Sequence, residues 1–201
     1  MIQQPRPTAD ALSVEGAAVT LGESPHVVTH ILRDDGIFPN HAKLPLMVYR
    51  RVVELTEPDP AGVFEALFTM HQWGSSWRNG IYNVHHYHST AHEVLGIYRG
   101  HARVQCGGDK GVILSIRPGD VLVVPAGVAH KNLGSSRDFG VVGAYPKGQR
   151  WDTCYGKPDE RPRTDRNIAQ VPLPSLDPVY GARGPLMTHW YEASGAPVAR
   201  E

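Results

Sequence analysis

The sequence predicts a single all-β domain, a small barrel or sandwich of short strands with one amphipathic helix on its N-terminal side. Three observations carry this. The chain has 201 residues, about 1.3 times the ~150 expected of one domain. Gly and Pro supply 38 of the 201 residues, about 19% against a background nearer ~12%, which favours many turns. After Gly74, short β-branched runs recur between Gly and Pro punctuation, as strands do.

Taken in order, residues 1 to about 24 form an arm with only a short strand or turn. Val27 to Leu32 and Leu46 to Tyr49 are β-branched runs, separated by Asp34-Asp35-Gly36 and Pro39-Asn40, and read as two strands. Asp59 suits an N-cap and Pro60 the first helical position. Val63, Phe64, Leu67 and Phe68 recur at helical spacing, so a helix is expected over about 60–72, ending near Gly74. Strands follow at about 81–88, 93–98, 102–106, 112–117, 121–124 and 138–145. Residues 152–175 are polar and Pro-rich, a surface loop, and 173–191 read as an irregular tail over the barrel or over a neighbouring subunit. The expected organisation is an extension over 1–73, a barrel core over 74–150, and a loop and tail over 151–201 of the same domain.

Composition narrows the function classes. Lys plus Arg and Asp plus Glu number 20 each, so no overall positive field attracts nucleic acid or anionic lipid. The apolar run Val121 to Ala126 is far short of the ~20 residues of a membrane span. Met1-Ile2-Gln3-Gln4-Pro5-Arg6 lacks the hydrophobic block of a signal peptide, so a cytoplasmic protein is expected. Cys106 and Cys154 fit no disulfide framework and read as free thiols.

Chemistry concentrates in the histidines. Five of the eleven fall between 85 and 101: His85, His86, His88, His92 and His101. On a strand His86 and His88 share a face with Cα atoms ~6.6 Å apart, close enough for both rings to reach one ion at ~2.0–2.2 Å. Glu93 returns to that face if Ser89 to Ala91 make a turn, and His130 completes the set from a second hairpin shaped by Gly119, Pro125 and Gly127. Three imidazoles and a carboxylate suit one divalent transition metal, Fe, Mn, Ni, Co or Zn, with positions left open for water, substrate or dioxygen.

These residues also resemble a known family. Gly80-x5-His86-x-His88-x4-Glu93-x6-Gly100 is similar to the first cupin motif, and Gly119-x5-Pro125-x-Gly127-x2-His130 to the second, apart from its final Asn, where this chain has Gly134. The motifs span about 55 residues, and the flanks resemble an uncharacterised bacterial single-domain cupin family. The resemblance implies a single jelly-roll barrel with one N-terminal flanking helix and irregular N- and C-terminal extensions. It carries over His86, His88, Glu93 and His130 as metal ligands in the barrel mouth.

Other candidates have plainer readings. His85 and His92 fall on the outer face or in the turn, His101 in a turn, and Cys106 packs as a small hydrophobe. Trp77, Tyr82 and Tyr98 are pocket candidates whose commoner role is core, and Arg99, Arg103 and Lys131 are anion-binding candidates whose commoner role is solvation. No catalytic residue is assigned. The functional expectation is a metal-dependent enzyme acting on a small polar metabolite, foremost an Fe(II) dioxygenase, with a Mn- or Zn-dependent isomerase or lyase behind it. The alternative is a non-catalytic module that binds or senses a small ligand. A homodimer is expected through an exposed Lys43–Leu55 edge strand and the C-terminal tail.

Overall fold

The computed structural model describes residues 11–14, 17–22 and 26–196. Twelve strands and three helices run in the order β1 (Ala11–Val14), β2 (Ala17–Leu21), β3 (Val27–Leu32), β4 (His41–Tyr49), β5 (Val53–Glu54), α1 (Pro60–Met70), β6 (Trp73–Asn79), β7 (Glu93–Arg99), β8 (Ala102–Cys106), β9 (Val112–Ile116), β10 (Val121–Val124), β11 (His130–Ser135), β12 (Gly140–Pro146), α2 (Arg163–Gln170) and α3 (Pro185–Ser194). The fold is the β-rich roll that the resemblance implies. A six-stranded sheet, β3-β4-β10-β7-β12-β6, stands against a three-stranded sheet, β11-β8-β9, and a small sheet, β1-β2-β5, lies beside them.

The central strands of the six-stranded sheet are buried on both faces, which explains why Val121 to Val124 is apolar throughout rather than alternating. Leu122 and Val124 point inward with Leu95, Ile97, Val104, Cys106, Leu114 and Ile116. Val121 and Val123 point the other way and pack with Phe64, Leu67 and Phe68 of α1 and Leu186 and Trp190 of α3. Close approach of α1 depends on Gly96: a Cβ there would lie 2.5 Å from Phe64 Cδ1. The C-terminal segment is anchored by the fully buried Asp177, which accepts hydrogen bonds from Tyr49 Oη (2.6 Å) and from the backbone N–H groups of Val179 (2.8 Å), Tyr180 (2.9 Å) and Leu186 (3.0 Å).

Several sequence expectations are corrected. The strand expected at 81–88 is absent: only His86 and Tyr87 make isolated bridges, to His130 and Cys154. The strand of that region is β6, whose Gly74-Ser75-Ser76 has poor strand propensity and forms a bulge against β12, with Ser75 at φ 52° between the Gly74–Tyr145 and Trp77–Gly143 pairs. The helix stops at Met70 because Gln72 turns into left-handed backbone, φ 64°. The C-terminal region is not irregular, since it contains α2 and α3. For α3 the signals were present: Pro185 in the first turn, Leu186, Met187 and Trp190 on one face, and Gly195 closing the end with φ 77°.

The Lys43–Leu55 region is likewise not one exposed edge strand. β4 is paired on both sides, with β3 and β10, and is separated from β5 by Arg51 at φ 50°. The free edges of the large sheet are β3 and β6. Among the described residues, no helix is long and apolar enough to cross a membrane.

Candidate metal centre

The four candidate ligands come together at one end of the roll. Glu93 opens β7, a central strand flanked by β10 and β12, so its position is fixed from both sides. His130 opens β11 opposite Cys106. His86 lies beside it through paired backbone hydrogen bonds, His86 N–H to His130 O (3.2 Å) and His130 N–H to His86 O (2.9 Å). The turn from β10 into β11, which lie in different sheets rather than in one hairpin, needs Gly127, whose φ is 90° and where a Cβ would stand 2.4 Å from Asn40 O. The four side chains are buried, from 2% exposed at His130 to 7% at His88.

All three imidazoles are oriented alike. Nδ1 of His86 is 3.2 Å from Val84 O, Nδ1 of His130 is 3.2 Å from Val128 O, and Nδ1 of His88 lies against Asp152 O. A carbonyl only accepts, so each Nδ1 carries the hydrogen, and in the neutral ring the lone pair falls on Nε2. Metal-binding histidines are held in this way, by an outer carbonyl that sets the tautomer. Asp152 is held in turn by Ser89, whose Oγ and N–H donate to its carboxylate at 2.5 and 2.6 Å.

Glu93 is the hub. Its Oε1 lies 3.3 Å from His88 Nε2 and its Oε2 3.4 Å from His130 Nε2, and Oε2 is buried without a hydrogen-bond partner among the described residues. Two donors bound at ~2.1 Å to one ion stand ~3.0–3.4 Å apart between octahedral and tetrahedral angles, so both separations suit a shared ion. The rings are spaced more widely: His86–His130 centroids are 4.2 Å apart, but His88 is 6.0 Å from His86 and 6.4 Å from His130. An imidazole bound through nitrogen puts its centroid ~3.2 Å from the ion, so His88 stands at the outer limit of one ion's reach. Correspondingly, among the described residues no group of three or more His, Cys, Asp or Glu could hold a metal ion as it stands. The donor types and tautomers fit a divalent ion; the separations fit after His88 closes by about 1 Å.

The electrostatics follow from this packing. Burial opposes the charge of Glu93, yet the adjoining His88 and His130 outweigh it and hold the carboxyl well below its usual range. Burial also opposes charge on His88, but the Glu93 carboxylate prevails and raises it. His86 is pushed down to about 3, by burial first and then by His130. In the metal-free centre the ionised Glu93 thus favours charge on His88, beside a His86 that burial keeps neutral.

The sequence matches the Cupin family over residues 74–144. It is also 44% identical over 162 residues to the uncharacterized protein YjlB of Bacillus subtilis (strain 168), covering 81% of this chain and 95% of that one. The chain belongs to the cupin superfamily. Among solved structures, this cupin is similar to procruciferin, an 11S globulin of Brassica napus, at 16% identity and a TM-score of 0.32, covering 64% of this chain and 27% of that one. It is similar to a mutant of the oxalate decarboxylase OxdC of Bacillus subtilis at 14% identity and a TM-score of 0.31, covering 73% and 29%. The cupin thus spans less than a third of either solved chain.

A cavity of about 270 Å³ opens over the cupin's four candidate ligands, walled by Trp77, Tyr82, Tyr145, Trp151 and Thr153 among others. Tyr145 is a cavity residue beside Glu93 that sequence reasoning passed over. Its hydroxyl donates to Glu93 Oε1 (3.0 Å) and accepts from Trp77 Nε1 (3.0 Å), while its ring stacks on Trp151 at 4.3 Å and 6°. Its signal is not local: β12 lies beside β7 with Ala144 opposite Val94, which brings Tyr145 next to Glu93.

The remaining candidates disperse. Trp77 and Tyr82 line the cavity, whereas Tyr98 packs against the α1 side of the sheet. His85 turns outward, its ring 5.1 Å from Phe38 and its Nε2 3.3 Å from Asp109, which also pairs with Lys131. His92 is buried against Trp190 behind the sheet. Cys106 is fully buried in the roll interior, where burial pushes its thiol up to about 12. Arg99 Nε donates to Asp138 O, and Arg103 lies in a separate cleft. Where the second motif usually has Asn, Gly134 lies in a strand irregularity, and its N–H donates to Asn132 Oδ1 at 2.8 Å.

Proposed function

We propose that this cupin holds one divalent transition metal, Fe, Mn, Ni, Co or Zn, through His86, His88, Glu93 and His130, and that it is an enzyme acting on a small polar metabolite. The observation that carries this reading is the common tautomer: three Nδ1 atoms are committed to carbonyls, leaving three Nε2 atoms around one buried carboxylate. A bound ion would supply Lewis acidity and, as iron(II), one-electron chemistry toward dioxygen, and we place an Fe(II) dioxygenase first. Tyr145 fixes the Glu93 carboxylate, and the Trp77, Tyr82 and Trp151 rings keep bulk water from a small substrate. Arg78, at the cavity rim, is engaged by Asp59 and Glu65, so the site favours a substrate of low charge.

A second reading, a Mn- or Zn-dependent isomerase or lyase, is favoured by the Tyr145 hydroxyl, which lies on the cavity wall and can hold a proton beside Glu93. A non-catalytic ligand-binding module would use the same cavity without turnover. The two buried free thiols suit a reducing compartment, in support of a cytoplasmic protein. For a homodimer we propose the free β3 edge, where Ile31 is 47% exposed.

Elemental analysis tests the centre. Purified protein is expected to carry about one metal per chain. His86→Ala and His130→Ala should lose it while His85→Ala keeps it; equal occupancy in all three overturns the ligand assignment. Oxygen uptake by the iron-loaded protein with thiols, diketones or phenols separates the oxygenase from the other readings.

A further inference from the structure

A second cavity, about 1220 Å³, opens at the far end of the same strands. β8 runs from Ala102 at this end to Cys106 beside His130, roughly 13 Å at the rise of a strand, so the two cavities lie at opposite ends of the roll. Arg50, Arg51, Arg103 and Arg117 line it, with His26 and His101. In a chain whose formal charges sum to zero, four guanidinium groups in one cleft are a local excess.

The fold gathers them deliberately. Asp120, fully buried, accepts hydrogen bonds from the Arg50 guanidinium (3.0 Å), the Arg51 N–H (2.9 Å) and the Arg117 N–H (3.2 Å). Arg50 also donates to Ser115 O (2.7 Å), and Ser115 is the rung partner of Arg103. One carboxylate therefore assembles three of the arginines and offsets the charge of only one, and the β8–β9 rung brings Arg103 beside them. Among the described residues, Arg51, Arg103 and Arg117 make no ion pair and no side-chain hydrogen bond. Arg51 also has φ 50°, backbone that Gly or Asn adopts more easily, so folding alone does not call for arginine there.

We propose that this cleft binds an oligophosphate anion, free or as the phosphate portion of a small metabolite, through Arg51, Arg103 and Arg117 alongside Arg50. Three guanidinium groups without a partner among the described residues suit a compact ligand of about three negative charges, and their forked N–H groups match phosphate oxygens. The volume admits linked phosphates. This inference stands independently of the metal centre.

Calorimetric titration of the full-length protein with inorganic tripolyphosphate tests it. Saturable one-to-one binding that weakens with salt is expected. Arg103→Glu/Arg117→Glu should weaken it about 100-fold, roughly tenfold per lost charged contact, and the milder Arg103→Gln/Arg117→Gln should weaken it in the same direction if the Glu pair fails to fold. Lys110→Glu/Lys157→Glu makes the same charge change outside the cleft and should leave binding nearly intact. Absence of saturable binding to the unaltered protein, or equal weakening in both charge-reversed pairs, overturns the site. Citrate binding as tightly as tripolyphosphate overturns the phosphate assignment. Metal content should be unchanged throughout.

Discussion

His92→Asn should flatten the acid sensitivity of the metal-free protein. His92 is fully buried, its ring centre is 4.6 Å from that of Trp190, and its Nδ1 accepts the Ala126 N–H at 2.9 Å, which requires that nitrogen to stay unprotonated. Burial first, and the nearby His41 second, push it down to about 3. The unfolded chain binds a proton at His92 near pH 6.5 and the folded chain does not until far lower. The full contribution to stability is therefore present above pH 6.5 and is lost as pH falls toward 3. Between pH 7 and pH 5 the proton taken up only by the unfolded chain costs the fold about 2 kcal/mol. In His92→Asn, Oδ1 can still accept from Ala126, while the lost ring contact with Trp190 costs about 1–2 kcal/mol at pH 7. Urea unfolding with a chelator present, at pH 7 and pH 5, should show the variant weaker at pH 7 and nearly level with the unaltered protein at pH 5. Parallel pH profiles would refute the reasoning, because a titrating buried imidazole cannot leave the difference constant.

Tyr145→Phe removes the hydroxyl that orients Glu93, and chelator competition should show metal affinity reduced about tenfold; unchanged affinity would mean that Tyr145 serves the cavity wall alone. Asp177→Ala strands the Tyr49 hydroxyl and three backbone N–H groups and should cost about 3–5 kcal/mol in denaturant unfolding, with Asp177→Asn well below that. Gly96→Ala drives a methyl into the Phe64 ring, 2.5 Å away, and should destabilise by about 1–3 kcal/mol, visible as a lowered melting temperature, unless α1 shifts at no cost.

What could be read from the sequence was what local rules determine. The turn residues around Gly119, Pro125 and Gly127 and the spacing of His86, His88, Glu93 and His130 mark one place, and the structure brings those four side chains together. Val121 to Val124 reads as a strand by composition, although its burial on both faces needs the helices to be seen. β6 was hidden because its Gly74-Ser75-Ser76 bulge is held in the sheet only by β12, about 70 residues away. Tyr145 was hidden for the same reason, since its link to Glu93 is a consequence of register between β12 and β7. The 151–154 segment, read as surface loop, supplies Trp151 and Thr153 to the cavity and the Asp152 carbonyl to His88, because Tyr87 and Cys154 pair across the chain.

The ligands differ in how firmly they are held, and this bears on how a metal would enter. Glu93 heads a central strand of the large sheet and pairs with Val124 of β10, and His130 heads a strand paired with β8. His86 and His88 belong to a segment without regular strand structure, attached by the His86–His130 and Tyr87–Cys154 bridges, by the Gly127 N–H on His88 O and by the Ser89–Asp152 bonds rather than by a strand ladder. Small closures cost less in such a segment than in a packed sheet, where strain spreads to many neighbours. The approach of about 1 Å that His88 needs therefore falls on residues 84–89 and on the Asp152 contact, not on Glu93. Hydrogen exchange should accordingly slow on metal addition at the 84–89 and 151–154 amides while those of β7 and β10 stay as they were. Slowing confined to β7 would place the adjustment in the sheet and contradict this division between a fixed Glu93 and a movable His86–His88 segment.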